Sequence, residues 1–352
     1  LRPLHRVAVE RAQTWFVQQL AGLQGGEARA YLARRGVGDD AIREFGIGFA
    51  PNERARLRGD LRGDFSDDEL VQAGLLVRVE GREPYDRFRS RVIFPIHDAR
   101  GRPIAFGGRI LGEGEPKYLN SPDAALFDKG RTLFNLHRAG PAGRKVGRAI
   151  VVEGYLDVIA LAQLGIAEAV APLGTALTDQ QLGLLWRIVP EPILCFDGDA
   201  AGRKASARAA IRALPALQPG RTLRFAMLPA GQDPDDLARQ GGREAVEAVL
   251  SRAVPLVDLL WRHEHGAEPL ETPEARAALR ARLIAHARSI EDRDLAREYE
   301  ADFRQRVDAL FDRRPRRARR AAPPPPAEAA TDTGIRRKLV VAVLRGMARF
   351  PD

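Results

Sequence analysis

Two short apolar runs, each ending in carboxylates and glycine, constrain this chain more than any other feature. The first, AIVVEGYLD at 149–157, reaches Glu153, Gly154 and Asp157; the second, PILCFDGD at 192–199, reaches Asp197, Gly198 and Asp199. A continuous apolar run of this length reads as a strand buried on both faces, as in a parallel sheet, and so predicts an α/β fold. The acids then stand at the carboxyl edge of that sheet, where open α/β sheets bind ligands. Asp197 and Asp199 are two residues apart in extended chain, so their side chains share a face. Carboxylates converging there repel one another unless a cation sits among them. An all-oxygen set with no His or Cys selects a hard divalent ion, Mg²⁺ or Mn²⁺. A third acidic cluster, GQDPDD at 231–236, follows the apolar run 223–228 and is placed to supply a second ion through Asp233 and Asp235. Gly154 and Gly198 are expected to let a ligand approach the backbone closely. Asp157 reads equally as a helix cap and as a residue that orients the other acids.

The net charge of +9 and a sequence pI near 10.2 favour a polyanionic partner, nucleic acid first among them. Cys195 is the only cysteine, which excludes intrachain disulfides and cysteine zinc sites; inside the run 192–196 it is expected as a small core residue. No run of 18 apolar residues and no signal-peptide pattern occurs, so a cytoplasmic monomer without a membrane partner is expected. A chain of 352 residues holds two or three domains and a sizeable core.

Residues 1–50 read as helical: Val7, Ala8, Ala12, Trp15, Phe16 and Leu20 keep a helical spacing, and 28–35 forms a second helix before Gly36. The segments 92–96 and 103–106 read as a hairpin turning at Arg100 and Gly101, with Gly107 and Gly108 expected to bend the chain tightly where Arg109 projects. Between Arg82 and Lys145 there are 13 Lys and Arg against 7 Asp and Glu, a basic surface suited to phosphates. Helices at 155–164, 178–188 and 200–214 are expected to alternate with strands, the second opened by a Thr178/Gln181 capping box. Arg203 and Lys204 stand close enough to the acids to meet a phosphate and equally to neutralise the carboxylates. From 234 to 311 the pattern is helical, broken at Gly241, Gly242 and Gly266, with Thr272 and Pro273 opening one helix. Six arginines at 313–320 and four consecutive prolines at 323–326 read as a linker. An apolar helix then restarts at 335, too little to bury its own face, and is expected to begin a further domain.

EGYLD (153–157) and DGDAAGR (197–203) resemble the two signature segments of the Toprim fold, which bacterial DnaG-type primases share with topoisomerases, certain nucleases and recombination mediators. LGTALT at 173–178 is similar to the primase branch, as are YLARRG at 31–36 and FGIGFAP at 45–51. The block 85–136 resembles DnaG primases almost without gaps, through PKYLNSP at 116–122 and FDKGRTLF at 127–134. The resemblance implies a Toprim-type parallel sheet flanked by an N-terminal α+β subdomain and a C-terminal helical subdomain. It divides the chain into 1–145, the α+β part with the basic block; 146–230, the Toprim part; 231–312, the helical part; 313–334, the linker; and 335–352, the start of a helicase-binding domain.

The same resemblance implies a DNA primase core, a DNA-directed RNA polymerase that makes short RNA primers during replication by metal-dependent nucleotidyl transfer. Its partners would be a single-stranded DNA template, ribonucleoside triphosphates and the replicative helicase. Glu153, Asp157, Asp197 and Asp199 would be catalytic. Glu153 and Asp197 would hold the ion at the attacking hydroxyl, while Asp197, Asp199, Asp233 and Asp235 would hold ions near the triphosphate. Arg35, Arg109, Lys117, Asn120 and Lys129 would contact template or nucleotide. Two other readings compete: a Toprim nuclease or topoisomerase, for which Tyr155 is the tyrosine nearest the acids but is expected to pack within its helix, and a non-catalytic DNA- or helicase-binding module.

Overall fold

Helix α1 (Arg2–Ala21) buries one stripe, formed by Ala8, Val9, Ala12, Trp15, Phe16 and Leu20 at helical spacing. Val7, expected on that stripe, is exposed instead. These positions come from a computed structural model, which describes residues 2–174 and 176–311; the expected linker 313–334 and the helix restarting at 335 lie outside the described residues. Helices α2 (Gly26–Arg34) and α3 (Asp39–Phe45) follow, and Gly46 ends α3 in the left-handed conformation. Strand β1 (Gly48–Ala50) corrects the all-helical reading of 1–50. Three residues are too few to show a period, and only pairing with a distant strand makes them one.

Two short helices, α4 (Arg56–Leu61) and α5 (Asp67–Gln72), and a two-stranded ribbon of β2 (Leu76–Val77) and β3 (Tyr85–Asp86) lead into the main hairpin. That hairpin pairs β4 (Arg91–His97) with β5 (Pro103–Ile110), and β6 (Tyr118–Asn120) and β1 complete an antiparallel sheet of order β1-β4-β5-β6. Asp98 builds the turn by accepting the N–H groups of Arg100 and Arg102. The bend expected at Gly107 and Gly108 does not occur; both lie inside β5. They are glycines because neighbours press on them. A Cβ on Gly107 would stand 2.3 Å from the Tyr155 hydroxyl, and one on Gly108 would stand 2.8 Å from the Phe88 ring. Helix α6 (Leu136–Val146) ends at Gly147, again left-handed.

The second sheet alternates with helices: β7 (Ile150–Val151), α7 (Tyr155–Gln163), β8 (Ala169–Val170), α8 (Asp179–Leu185), β9 (Ile193–Phe196), α9 (Ala200–Ala213), β10 (Arg224–Met227) and α10 (Pro234–Ser251). Its order is β11-β10-β9-β7-β8, with β8, β7, β9 and β10 parallel, as the apolar runs predict. Strand β11 (Val254–Pro255) adds an antiparallel edge from a stretch expected to be wholly helical. Thr178 and Gln181 form the expected capping box, and Cys195 is a buried core residue. Helix α10 is kinked at Gly242, after which α11 (Leu256–His265), α12 (Pro273–Arg288) and α13 (Arg293–Phe311) follow. Thr272 caps α12 by accepting the Ala275 N–H.

One hydrophobic core runs from Leu32 of α2 through Phe94 of β4 and Ile150 of β7 to Leu250 of α10. The described residues up to Gln305 accordingly form one compact unit. Among the described residues no helix is long and apolar enough to cross a membrane.

Candidate active site

A strand end, or the first turn of the helix after it, delivers each acidic side chain. Glu153 follows β7, and its Oε1 accepts the Asp197 N–H at 3.1 Å, tying the ends of β7 and β9 together. Asp157 is buried in the first turn of α7, where Oδ2 accepts the Gly154 N–H at 2.9 Å and Oδ1 accepts the Asp235 N–H at 3.3 Å. It thus caps α7 and also holds the neighbouring acidic loop.

Asp197 follows β9, and its Oδ1 is buried without a hydrogen bond from any described residue. Burial, with Glu153 and Asp233 next, pushes its carboxyl up to about 7. Burial, with Asp233 and Asp197 next, pushes Asp157 well above the usual carboxylate range. An orphaned buried oxygen among like charges marks a place short of positive charge, and by that measure the residues fit a divalent cation.

The other acids carry local duties. Asp199 caps α9 by accepting the Gly202 N–H at 2.7 Å, and Asp233 caps α10 by accepting the Asp236 N–H at 2.6 Å. Asp235, expected as a metal ligand, is 1% exposed and is ion-paired to Arg35 at 2.5 Å and to Arg239 at 3.5 Å. As placed, no group of three or more His, Cys, Asp or Glu side chains among the described residues is arranged to hold an ion. Glu153, Asp157, Asp197 and Asp233 nevertheless line one cavity of about 270 Å³, which Asp199 and Asp235 do not reach. Gly154 lines the same cavity, as its place beside Glu153 predicts. A Cβ on Gly198 would stand 1.9 Å from the Pro229 carbonyl oxygen, so this position must be glycine for the loops after β9 and β10 to meet. Gly154 is the N-cap of α7.

Cations face these acids across the same cavity: Arg35 from the C-terminal end of α2, Arg109 from β5 and Lys117 just before β6. The Arg109 guanidinium lies 5.5 Å from the Tyr31 ring centroid and 5.6 Å from that of Tyr118, its register partner on β6. Sequence reasoning did not single out either tyrosine; the adjacency of Tyr118 to Lys117 was the available signal. Asn120 also lines the cavity, but its Oδ1 accepts from the Tyr155 hydroxyl at 2.6 Å and its Nδ2 donates to the Leu173 carbonyl at 2.9 Å. Lys129 stays out of the cavity lining, in the single turn Lys129–Arg131 packed on α8, its carbonyl accepting from Gln181 at 2.9 Å. The broad basic surface expected from 82–145 narrows for a related reason. Arg87 donates to the Asn120 carbonyl, the buried Arg91 to those of Gly108 and Pro116, and Arg102 pairs with Asp98.

A parallel sheet that brings Glu153 and Asp197 to neighbouring strand ends, with helices between the strands, defines a Toprim protein. The Toprim domain family matches residues 147–224, and the N-terminal domain family of the DNA primase catalytic core matches residues 15–140. A curated DNA primase of Escherichia coli is 47% identical over 270 residues, which are 76% of this chain and 46% of that protein. A crystal structure of a DNA primase domain from Pseudomonas aeruginosa is 41% identical with a TM-score of 0.81, over 88% of this chain and 96% of that one. A DnaG primase catalytic domain bound to ssDNA is 41% identical with a TM-score of 0.77, over 86% and 98%. The chain belongs to the DnaG primase family, as its catalytic core, and spans 35–46% of the length of the curated relatives it matches.

Proposed function

We propose that this chain makes short RNA primers on a DNA template by metal-dependent nucleotidyl transfer, as the core of a replicative primase. The observation that carries the proposal is the meeting of Glu153, Asp197 and Asp233 with Arg35, Arg109 and Lys117 around one cavity. Acids alone would serve a nuclease. A polymerase also needs cations facing them, to bind the triphosphate it consumes and the backbone it copies. The ssDNA-bound neighbour supports a single-stranded template. Tyr155, the tyrosine on which the topoisomerase reading rests, is buried with its hydroxyl donated to Asn120.

Joining two nucleotides requires a 3′-hydroxyl to attack an α-phosphorus while pyrophosphate leaves. Glu153, Asp197 and Asp233 would hold Mg²⁺ or Mn²⁺, two or more ions, which supply activation of the attacking oxygen and charge neutralisation at the leaving one. Asp199 does not reach that cavity, and Asp235 would join them only by giving up an ion pair, which places both behind the first three. Arg109 and Lys117 bind phosphate, Asp157 fixes the acidic loops, and Asn120 acts by holding Tyr155 and the Leu173 carbonyl. The partners on this reading are ribonucleoside triphosphates, the template strand and, through chain beyond 335, the replicative helicase; the protein works as a monomer in the cytoplasm. Labelled ribonucleotides on single-stranded DNA should give short RNA only with a divalent ion, and Glu153→Gln and Asp197→Asn should abolish it. Plasmid nicking without nucleotides, and no RNA, would replace this reading with the nuclease.

A further inference from the structure

A second cavity, of about 250 Å³, adjoins the first and shares Glu153, Pro172 and Gly174 with it. Its remaining wall is apolar, made by Leu177, Phe196, Ala205 and Ala209, apart from the exposed Arg208. Arg208 belongs to a row along α9: Lys204, Arg208 and Arg212, four residues apart, lie on one helix face. All three are exposed and none is ion-paired with a described residue. Arg35 and Arg58, by contrast, are held by carboxylates, Asp235 and Asp67. A slot with an apolar wall beside an unpaired cationic row is suited to one ligand chemistry, a planar base carrying a polyphosphate.

We propose that this cavity seats the first ribonucleoside triphosphate of a primer, its base against Phe196 and Leu177 and its 5′-triphosphate along Lys204, Arg208 and Arg212. The inference rests on the primase reading. Starting a chain from two free nucleotides needs two seats that meet at the reacting centre. The first cavity has cations for the incoming triphosphate, and Glu153 belongs to both cavities. The 3′-O–H of the nucleotide in the second cavity attacks the α-phosphorus of the nucleotide in the first. An O–P bond forms as the bond from that phosphorus to the β-phosphate oxygen breaks. Pyrophosphate departs with the electron pair, and the hydroxyl proton passes to water. Once a primer exists, its 3′-terminal nucleotide takes the same seat. That nucleotide carries a phosphodiester in place of a triphosphate and is already held by pairing to the template. The cationic row therefore matters for the first bond and little afterwards.

Two assays on the same protein separate these stages: dinucleotide synthesis from free nucleotides on single-stranded DNA, and one-nucleotide extension of an annealed RNA primer. Arg208→Ala should raise the KM for the first nucleotide about tenfold, as loss of a charge-assisted phosphate contact would. Extension should stay within about twofold of wild type. Ala205→Leu, which narrows the slot from a half-buried helix position, should lower kcat in both assays, with melting curves showing that each variant is folded. The seat is overturned if Arg208→Ala leaves the dinucleotide KM unchanged or slows both reactions equally, or if Ala205→Leu works at the wild-type rate. A wild-type chain that performs neither reaction overturns the primase reading and this inference together. A wild type that performs both while Arg208→Ala is silent overturns the seat alone.

Discussion

The guanidinium of Arg35 stands 2.5 Å from the carboxylate of Asp235, two hundred positions away in sequence, and joins the end of α2 to the first turn of α10. Asp235 is buried, and its backbone N–H donates to Asp157, so the pair connects the N-terminal cations to the acidic centre. Arg35→Ala leaves the buried carboxylate with Arg239 alone. The expected cost is about 2–4 kcal/mol, read by chemical denaturation. The Arg35→Ala/Asp235→Asn double variant should lose less than the two single losses summed, because the stranded charge is gone. Simple additivity would show that the pair is not coupled.

Asp197 should trade stability against activity. Its carboxyl is raised from an ordinary 3.8 to about 7, so the folded protein holds that proton more tightly than the unfolded chain does. The associated stability is complete below pH 4 and is lost as pH rises through about 7. In chelator-containing buffer at pH 8, Asp197→Asn should raise stability by about 1–2 kcal/mol while nucleotide incorporation falls on the order of a hundredfold or more. A variant that is both less stable and inactive would mean that the acid is structural.

Gly107→Ala should be costly although it adds one methyl group. The new Cβ would meet the Tyr155 hydroxyl at 2.3 Å and the ring carbon that bears it at 2.4 Å. Tyr155 cannot yield easily, since its ring stacks on Phe94 with centroids 5.0 Å apart and its hydroxyl holds Asn120. A loss of about 2–3 kcal/mol is expected in thermal or denaturant melts. Tyr155→Phe should not rescue it, because the ring carbon still clashes. Full rescue would place the strain in the hydroxyl alone.

His97 predicts acid sensitivity away from the catalytic centre. Its ring packs 4.6 Å from that of His137, and burial, with His137 and Arg138, pushes it from 6.5 down to about 4 against a weaker pull from Asp98. His137 is pushed down in the same direction, by burial and then Arg138. Stability from keeping His97 neutral is present above pH 6.5 and drains away as pH falls toward 4, a loss of roughly 3 kcal/mol. His97→Gln should flatten the stability profile across that window. An unchanged slope would assign the acid sensitivity to other groups.

Much of the site was legible because its signals are local. Apolar runs stopping at Glu153 and Asp197 placed both acids at strand ends, and Thr178 with Gln181 announced a helix start three residues apart. What stayed hidden depends on partners far along the chain. Asp199 and Asp233 read as metal ligands, and each also caps its own helix through one carboxylate oxygen. Asn120 looks like a free polar group in a basic block, but it bonds to Tyr155 and Leu173. Strand β11 has two residues, too few for any periodicity, and exists only because β10 offers it an edge.

The amino-acid order by itself determined the α/β class, the buried parallel strands and the identity of the acids at their ends, because burial on two faces and strand termination are written in neighbouring residues. Which of those acids keep a free oxygen was decided by the folded chain alone. Asp197 is left with an unpartnered buried oxygen, whereas Asp235 is claimed by an arginine two hundred residues away. Competition for partners in space, with buried charge too costly to leave unpaired, makes that choice, and it has no signature along the chain.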